Sequence, residues 1–111
     1  NNIKLICLAG FLKILSKEFI KSFKGKIINI HPSLLPKYKG LNTHYRVLEN
    51  NEKFTGCSVH FVNGKLDGGK IILQKKIKIF KKDNVKSLKM RVLKEEYKLY
   101  PKSIIKIFTN Y

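Results

Sequence analysis

The sequence predicts an α/β domain, and three observations carry that expectation. Two apolar runs of strand length, residues 3–9 and 26–30, bracket a helical pattern; strand, helix, strand in that order suggests a parallel βαβ unit. The second run gives way to a loop punctuated by Pro32, Pro36 and Gly40, with Asn29 and His31 at the junction where α/β proteins tend to hold their chemistry. The run 70–80 ends in alternation, Ile77 and Ile79 against Lys76 and Lys78, as in a strand with one wet face at or near a sheet edge.

Each element has its own local reason. Residues 3–9 are almost continuously apolar and read as a buried strand that Gly10 ends. Residues 11–15 form an apolar connector, either plain packing or the wall of a pocket for a flat aromatic ligand, and spacing does not decide between these. Ser16 is a candidate N-cap, Glu18 suits the positive end of a helix, Phe19, Ile20 and Phe23 give it an apolar face, and Gly25 stops it. Beyond the proline loop, Thr43 is expected to cap a helix carrying Tyr45, Val47 and Leu48, fraying at Asn50 and Asn51, with His44 on its exposed side. Residues 54–62 read as a strand in which His60 is a structural, hydrogen-bonded group that supports the site.

Residues 63–69 are loop by composition, and Asp67 within it either caps its own turn or aims its carboxylate at His31. The strand over 70–80 is expected to run antiparallel to its predecessor. Asp83 or Asn84 caps the last long helix, whose buried stripe runs Val85, Leu88, Val92 and Leu99. Glu96 falls in that stripe, where a carboxylate needs an ion-pair partner or a hydroxyl-bearing ligand. Pro101 is expected to break the helix, leaving 103–108 as a short apolar helical tail. No repeat or linker divides the chain.

Composition narrows the function classes. The formal net charge of +17 on 111 residues invites a polyanion partner. Yet the lysines are spread along the chain and the only arginines are Arg46 and Arg91, whereas base readers lean on arginine. A compositional bias towards Lys, Asn and Ile accounts for the charge better, so no specific nucleic acid is expected, although a basic surface draws in small anionic substrates. Cys7 and Cys57 show no metal-ligand spacing, which argues against a metal and for buried free thiols in a reducing, cytoplasmic compartment. No apolar run approaches a membrane span and no signal peptide is visible. A first residue of Asn1 reads as a fragment or a processed start.

The chemistry centres on Asn29 and His31. Two apart on a strand, they share one face, and Pro32 holds His31 extended. A donor amide beside an imidazole can stabilise the oxyanion formed when a nucleophile attacks a carbonyl, and then manage the proton. A carboxylate such as Asp67 would favour the charged, acid form of the ring. Ser33 lies too close to His31 in the same loop for a Ser-His-Asp triad. The combination describes acyl or formyl transfer without a metal or a covalent intermediate.

Four stretches then carry a family resemblance: residues 8–16 (LAGFLKILS), 29–44 (NIHPSLLPKYKGLNTH), 55–62 (TGCSVHFV) and 66–72 (LDGGKII). They resemble the phosphoribosylglycinamide formyltransferases, folate-dependent enzymes of purine synthesis. The Asn-x-His-Pro-Ser-Leu-Leu-Pro motif is shared by a wider set of formyltransferases; the Gly-Leu-Asn-Thr-His continuation and the Ser-Val-His-Phe-Val strand favour the glycinamide branch. The resemblance implies a three-layer Rossmann-like fold, here its C-terminal half, with parallel strands followed by an antiparallel edge pair. Residues 1–111 would then be the C-terminal part of a single catalytic domain.

It also implies transfer of the formyl group of 10-formyltetrahydrofolate, as co-substrate, to the amine of phosphoribosylglycinamide on the route to IMP, without a metal. By position, His31 matches the catalytic acid, Asn29 the residue that holds the formyl oxygen, and Asp67 the carboxylate that assists the histidine and orders water. Leu12, Lys13, Ile14 and Leu15 match the folate-pocket segment, and Glu96 a carboxylate that holds ribose hydroxyls. Lys13 stands where the family often has arginine, and Asn42 where some members have histidine. No glycine-rich phosphate cradle is present, so the missing N-terminal half of the same domain is an expected partner and the chain is expected to be inactive alone. The rival readings are a formyltetrahydrofolate hydrolase, a methionyl-tRNA formyltransferase, whose members carry an additional C-terminal domain, and a basic nucleic-acid-binding module.

Overall fold

A computed structural model describes residues 5–9, 17–63 and 67–110. The element order is β1 (Leu5–Ala9), α1 (Lys17–Ser22), β2 (Lys26–His31), α2 (Thr43–Glu49), β3 (Phe54–Phe61), β4 (Ile71–Lys78) and α3 (Val85–Asn110). The four strands form one sheet in the order β1-β2-β3-β4, with β1 and β2 parallel and the β2–β3 and β3–β4 pairs antiparallel. The expected βαβ unit and the antiparallel edge pair are therefore both present. β2 runs one residue further than expected, so His31 is its last residue rather than the first of the loop.

The two faces of the sheet have opposite characters because side chains alternate along each strand. Ile28 faces Phe61 and Ile30 faces Val59 across β2 and β3; Ile28, Ile30, Cys57 and Val59 pack with Leu88, Val92 and Leu99 of α3 in the main core. Asn29, paired with His60, and His31, paired with Ser58, alternate with them and take the other face. A bulge at Val59 and His60 leaves Ile72 of β4 out of the pairing; Ile72 turns into the core and its carbonyl accepts a hydrogen bond from Lys106 Nζ at 3.0 Å.

Several local expectations need correction. Asn42, in the left-handed region at φ 57°, precedes α2, and Thr43 is its first, buried residue. An asparagine tolerates that conformation, and it turns the chain sharply out of the proline loop into the helix. His44 is half-buried, not exposed: its Nδ1 is enclosed without a partner, and burial, then the charges of Lys89 and His31, push its imidazole down. Cys57 is buried with its thiol pushed up to about 12 by burial, but Cys7 is exposed, because α3 lies over β3 and β4.

Pro101 does not break α3, which runs unbroken to Asn110. Proline removes one backbone donor, while Leu99, Ser103 and Ile107 on either side are all buried, so tertiary packing carries the helix through. Val85, expected in the buried stripe, is exposed at the helix start.

Asn84 caps α3 as expected, its Oδ1 accepting from the Ser87 N–H at 2.8 Å. Asp83 joins β4 to α3: one carboxylate oxygen accepts from Arg91 Nη1 at 2.5 Å and from Ser87 Oγ at 2.8 Å, the other from the Phe80 N–H at 2.8 Å. Burial works to raise this carboxyl, but those donors outweigh it and hold it below its ordinary value. Its stabilisation is thus present above the unfolded-state value and is lost as the pH falls through the lower folded one. Asp83→Asn is expected to cost about 1–3 kcal/mol near neutral pH. In urea unfolding that gap should close as the pH is taken below about 4; a gap independent of pH would contradict the ionic account.

Candidate active site

β2 builds the centre of the site. Its alternation sends Asn29 and His31 to the face away from α3, and Pro32 turns the chain off the sheet directly after His31. The imidazole is then held by two different loops. His31 Nε2 donates to the Tyr38 carbonyl at 2.7 Å, and Nδ1 lies 3.4 Å from Asp67 Oδ2. The His31 and Asp67 side chains are 8% and 7% exposed. Both ring nitrogens therefore face oxygen acceptors, and only the doubly protonated ring offers a proton to each.

Asp67 is the alternative that its loop position left open: it reaches the histidine rather than capping its own turn. Its backbone is left-handed at φ 48°, and Oδ2 also accepts the Gly40 N–H at 2.8 Å, tying two loops together. The loop lies tight on β3; a Cβ on Gly69 would stand 1.6 Å from the Phe61 carbonyl oxygen, so only glycine fits there.

His60 completes the polar face. Its Nδ1 donates to the Phe61 carbonyl at 3.0 Å, while Nε2 is buried without a hydrogen bond, 3.7 Å from Asp67 Oδ1. Burial pushes this imidazole down, opposed by the Phe61 carbonyl and Asp67, which keeps the ring neutral with a bare Nε2. Two acceptors facing each other at that distance call for a donor between them. Asn29 Oδ1, on the cross-strand neighbour of His60, is likewise buried and unpaired. His60 thus sits against Asp67 and beside Asn29, hydrogen-bonded to the backbone as its strand position suggested.

Sequence reasoning missed the brace behind this centre. Ser58, opposite His31 across the strands, accepts the Leu35 N–H at 3.1 Å and donates to the Ser33 carbonyl at 2.7 Å. Gly56, two residues earlier, leaves room for Leu34: a Cβ there would lie 2.5 Å from a Leu34 methyl carbon. The Thr-Gly-x-Ser spacing was the available signal, since it places a bare position and a hydroxyl on the face that His60 shares.

The structure brings Asn29, His31 and Asp67 together and leaves Glu96 elsewhere. Glu96 is on α3, which packs on the opposite face of the sheet and where its charge is felt by Cys57. Among the described residues it has no hydrogen-bond or ion-pair partner, and burial raises its carboxyl to about 7. Leu12, Lys13, Ile14 and Leu15 lie outside the described residues. Among the described residues no group of three or more His, Cys, Asp or Glu is placed to hold a metal ion, and no helix is long and apolar enough to cross a membrane.

Asn29, His31 hydrogen-bonded to the Tyr38 carbonyl, and the Asp67 carboxylate beside that ring thus lie together on one face of a Rossmann-like sheet. The formyl transferase family model matches residues 1–104, and the chain belongs to that family. It is 50% identical over 108 residues to the phosphoribosylglycinamide formyltransferase of Haemophilus influenzae, covering 97% of this chain and 50% of that protein. With the Escherichia coli enzyme of the same name it shares 48% over 97 residues, 87% of this chain and 46% of that one. The crystal structure of phosphoribosylglycinamide formyltransferase from Anaplasma phagocytophilum superposes with a TM-score of 0.90 at 43% identity, covering 95% of this chain and 52% of that one. The chain spans about half the length of these relatives.

A carboxyl raised from 4.5 to about 7 binds its proton more tightly in the folded chain than in the unfolded one. The cost of ionising Glu96 therefore accumulates between those two values and is present in full above them. Glu96→Gln is expected to gain about 1–2 kcal/mol at alkaline pH, allowing for screening of a half-buried group, and nothing in mild acid. Chemical denaturation at two pH values measures both, and an equal gain at both would contradict the burial account.

Proposed function

We propose that this chain carries the chemical centre for transfer of a formyl group from 10-formyltetrahydrofolate to the amine of phosphoribosylglycinamide, in cytoplasmic purine biosynthesis. The observation that carries this reading is the pairing of a buried, unsatisfied Asn29 with a His31 ring whose two nitrogens are both committed to acceptors. The amine attacks the formyl carbon, a C–N bond forms, and negative charge develops on the carbonyl oxygen. Asn29 Nδ2 is the donor for that oxyanion, and the His31 ring joins it by releasing one of its two acceptors, while the unpaired Asn29 Oδ1 accepts an N–H of the incoming amine. As the bond from carbon to N10 of the folate breaks, the proton lost by the amine is made good on N10, with His31 as general acid. Asp67 is assigned to supporting the charged ring and, with His60 Nε2 3.7 Å from its other oxygen, to ordering water that relays the proton.

Glu96, a half-buried carboxyl without a partner among the described residues, is assigned to the hydroxyls of the substrate ribose. Leu12, Lys13, Ile14 and Leu15 are assigned to the folate pocket by their family match, together with Asn29. Residues 1–111 are read as the C-terminal part of one catalytic domain, whose other half lies alongside β1. β1 is an edge among the described strands and carries no charged residue, unlike β4.

The test joins this chain to the segment of the Haemophilus relative that it does not match and measures formyl transfer. His31→Ala should lose about 100-fold to 10,000-fold in kcat and Asp67→Ala at least about tenfold, while the 111-residue chain alone should be inactive. Near wild-type turnover in either variant would sink the assigned roles.

A further inference from the structure

Gln74 is on β4, directly opposite Ser58 of β3 and on the face that carries the site. Its carboxamide nitrogen donates to the Leu35 carbonyl at 2.8 Å and to Ser58 Oγ at 2.9 Å. Ser58 Oγ already accepts the Leu35 N–H, so both its lone pairs are taken and its one proton must go to the Ser33 carbonyl. Every donor and acceptor in this knot has a fixed direction. Two side chains from adjacent strands thereby hold three backbone groups of the proline loop: Ser33 C=O, Leu35 N–H and Leu35 C=O.

The same loop is closed internally by Lys37 N–H to Leu34 C=O at 3.0 Å and Ser33 Oγ to Lys37 C=O at 2.6 Å. The next residue is Tyr38, whose carbonyl holds His31 Nε2. Among the described residues no hydrogen bond runs from β3 or β4 to His31 Nε2; the restraint reaches it through the loop.

We propose that Gln74 is a positioning residue for His31: its amide donor locks the 33–38 loop to the sheet and so fixes the acceptor that Tyr38 presents to the imidazole. This rests on the reading of His31 as the general acid, and it adds a determinant that neither the Asn29, His31, Asp67 trio nor their sequence motif contains. The role is donation rather than packing, since Gln74 is exposed on an edge strand. Gln74→Glu keeps the size and places an acceptor against the Leu35 carbonyl; Gln74→Ala removes the donor without adding repulsion.

The test uses the ¹⁵N-labelled 111-residue chain, whose three histidines report the protonation of each ring nitrogen in long-range ¹H–¹⁵N spectra, with His31→Ala for assignment. In the wild-type chain the His31 Nε2 proton should show a fixed, hydrogen-bonded shift. In Gln74→Ala and Gln74→Glu that proton should lose its fixed shift and exchange faster, while His44 and His60 keep their patterns. An unchanged His31 pattern in Gln74→Ala, or a Gln74→Glu chain indistinguishable from wild type, would overturn the proposal. In the joined protein the matching expectation is a fall in kcat of about tenfold to 100-fold with KM unchanged. A joined wild-type protein without formyl transfer would overturn the assigned reaction, while the nitrogen spectra would still decide the placement of Gln74.

Discussion

The structure depends on the alternation along β2. Ile28 and Ile30 enter the core against α3 while Asn29 and His31 emerge on the other side, and the strand does both within four residues. The arrangement is all or nothing: a one-residue slip in register would drive the amide and imidazole into an apolar core and expose two isoleucines. Burying those polar groups without partners would cost several kcal/mol, so the apolar packing that stabilises the sheet also holds the site in place. The antiparallel partner β3 repeats the division, with Thr55, Cys57 and Val59 on one side and Gly56, Ser58 and His60 on the other. Stability and chemistry share the strands but not the faces.

On the polar face the governing fact is an excess of acceptors. Asp67, the Tyr38 carbonyl, His60 Nε2 and Asn29 Oδ1 crowd a small volume, and His31 is the ring that can offer protons to two of them. Such a site suits donors, which is what the attacking amine of the proposed reaction would bring. It also explains why Asp67 is so constrained. A carboxylate between two imidazoles can serve both only if its loop is pinned, and Gly69 pressed on Phe61, together with the Gly40 hydrogen bond, provides the pin. The extra residue of the bulge, Ile72, is on β4 opposite Val59 and His60, close to where the Asp67 loop enters that strand.

Much of this was legible in the sequence because it follows from short-range rules. Period-two alternation marked β2, lysines marked the β4 edge, and His-Pro marked the loop departure. The errors share a cause, which is tertiary context overriding a local preference. Pro101 reads as a helix breaker, but the buried residues on both sides of it keep the turns together. Thr43 has the right chemistry for a cap, yet Asn42 supplies the left-handed turn and leaves the threonine inside. His44 looked like a surface residue because nothing local says that Lys89 of α3 faces it. Asp67 was only one of two alternatives, since its partner lies thirty-six positions away and no periodicity links two loops. Gln74 was invisible for the same reason, and the spacing that marks Ser58 places its hydroxyl on a face without naming its partners: their meaning is a cross-strand pair acting on a third segment.

The two sheet edges differ in chemistry. β4 presents Lys75, Lys76 and Lys78 and is covered in part by α3, which is how an outer edge resists adding further strands. β1 is the opposite case: Leu5, Ile6, Cys7 and Leu8 carry no charge, and Cys7 is exposed. β1 is nonetheless built into the sheet from below, because Tyr100 of α3 donates to the Leu8 carbonyl and also faces that of Ile28 at 3.2 Å. An uncharged parallel strand fixed this way has the composition of an interior strand. The relatives are about twice as long as the matched region, and further parallel strands beside β1 would cover Cys7 and place the remaining substrate contacts next to the carboxyl ends of β1 and β2, where Asn29 and His31 already wait.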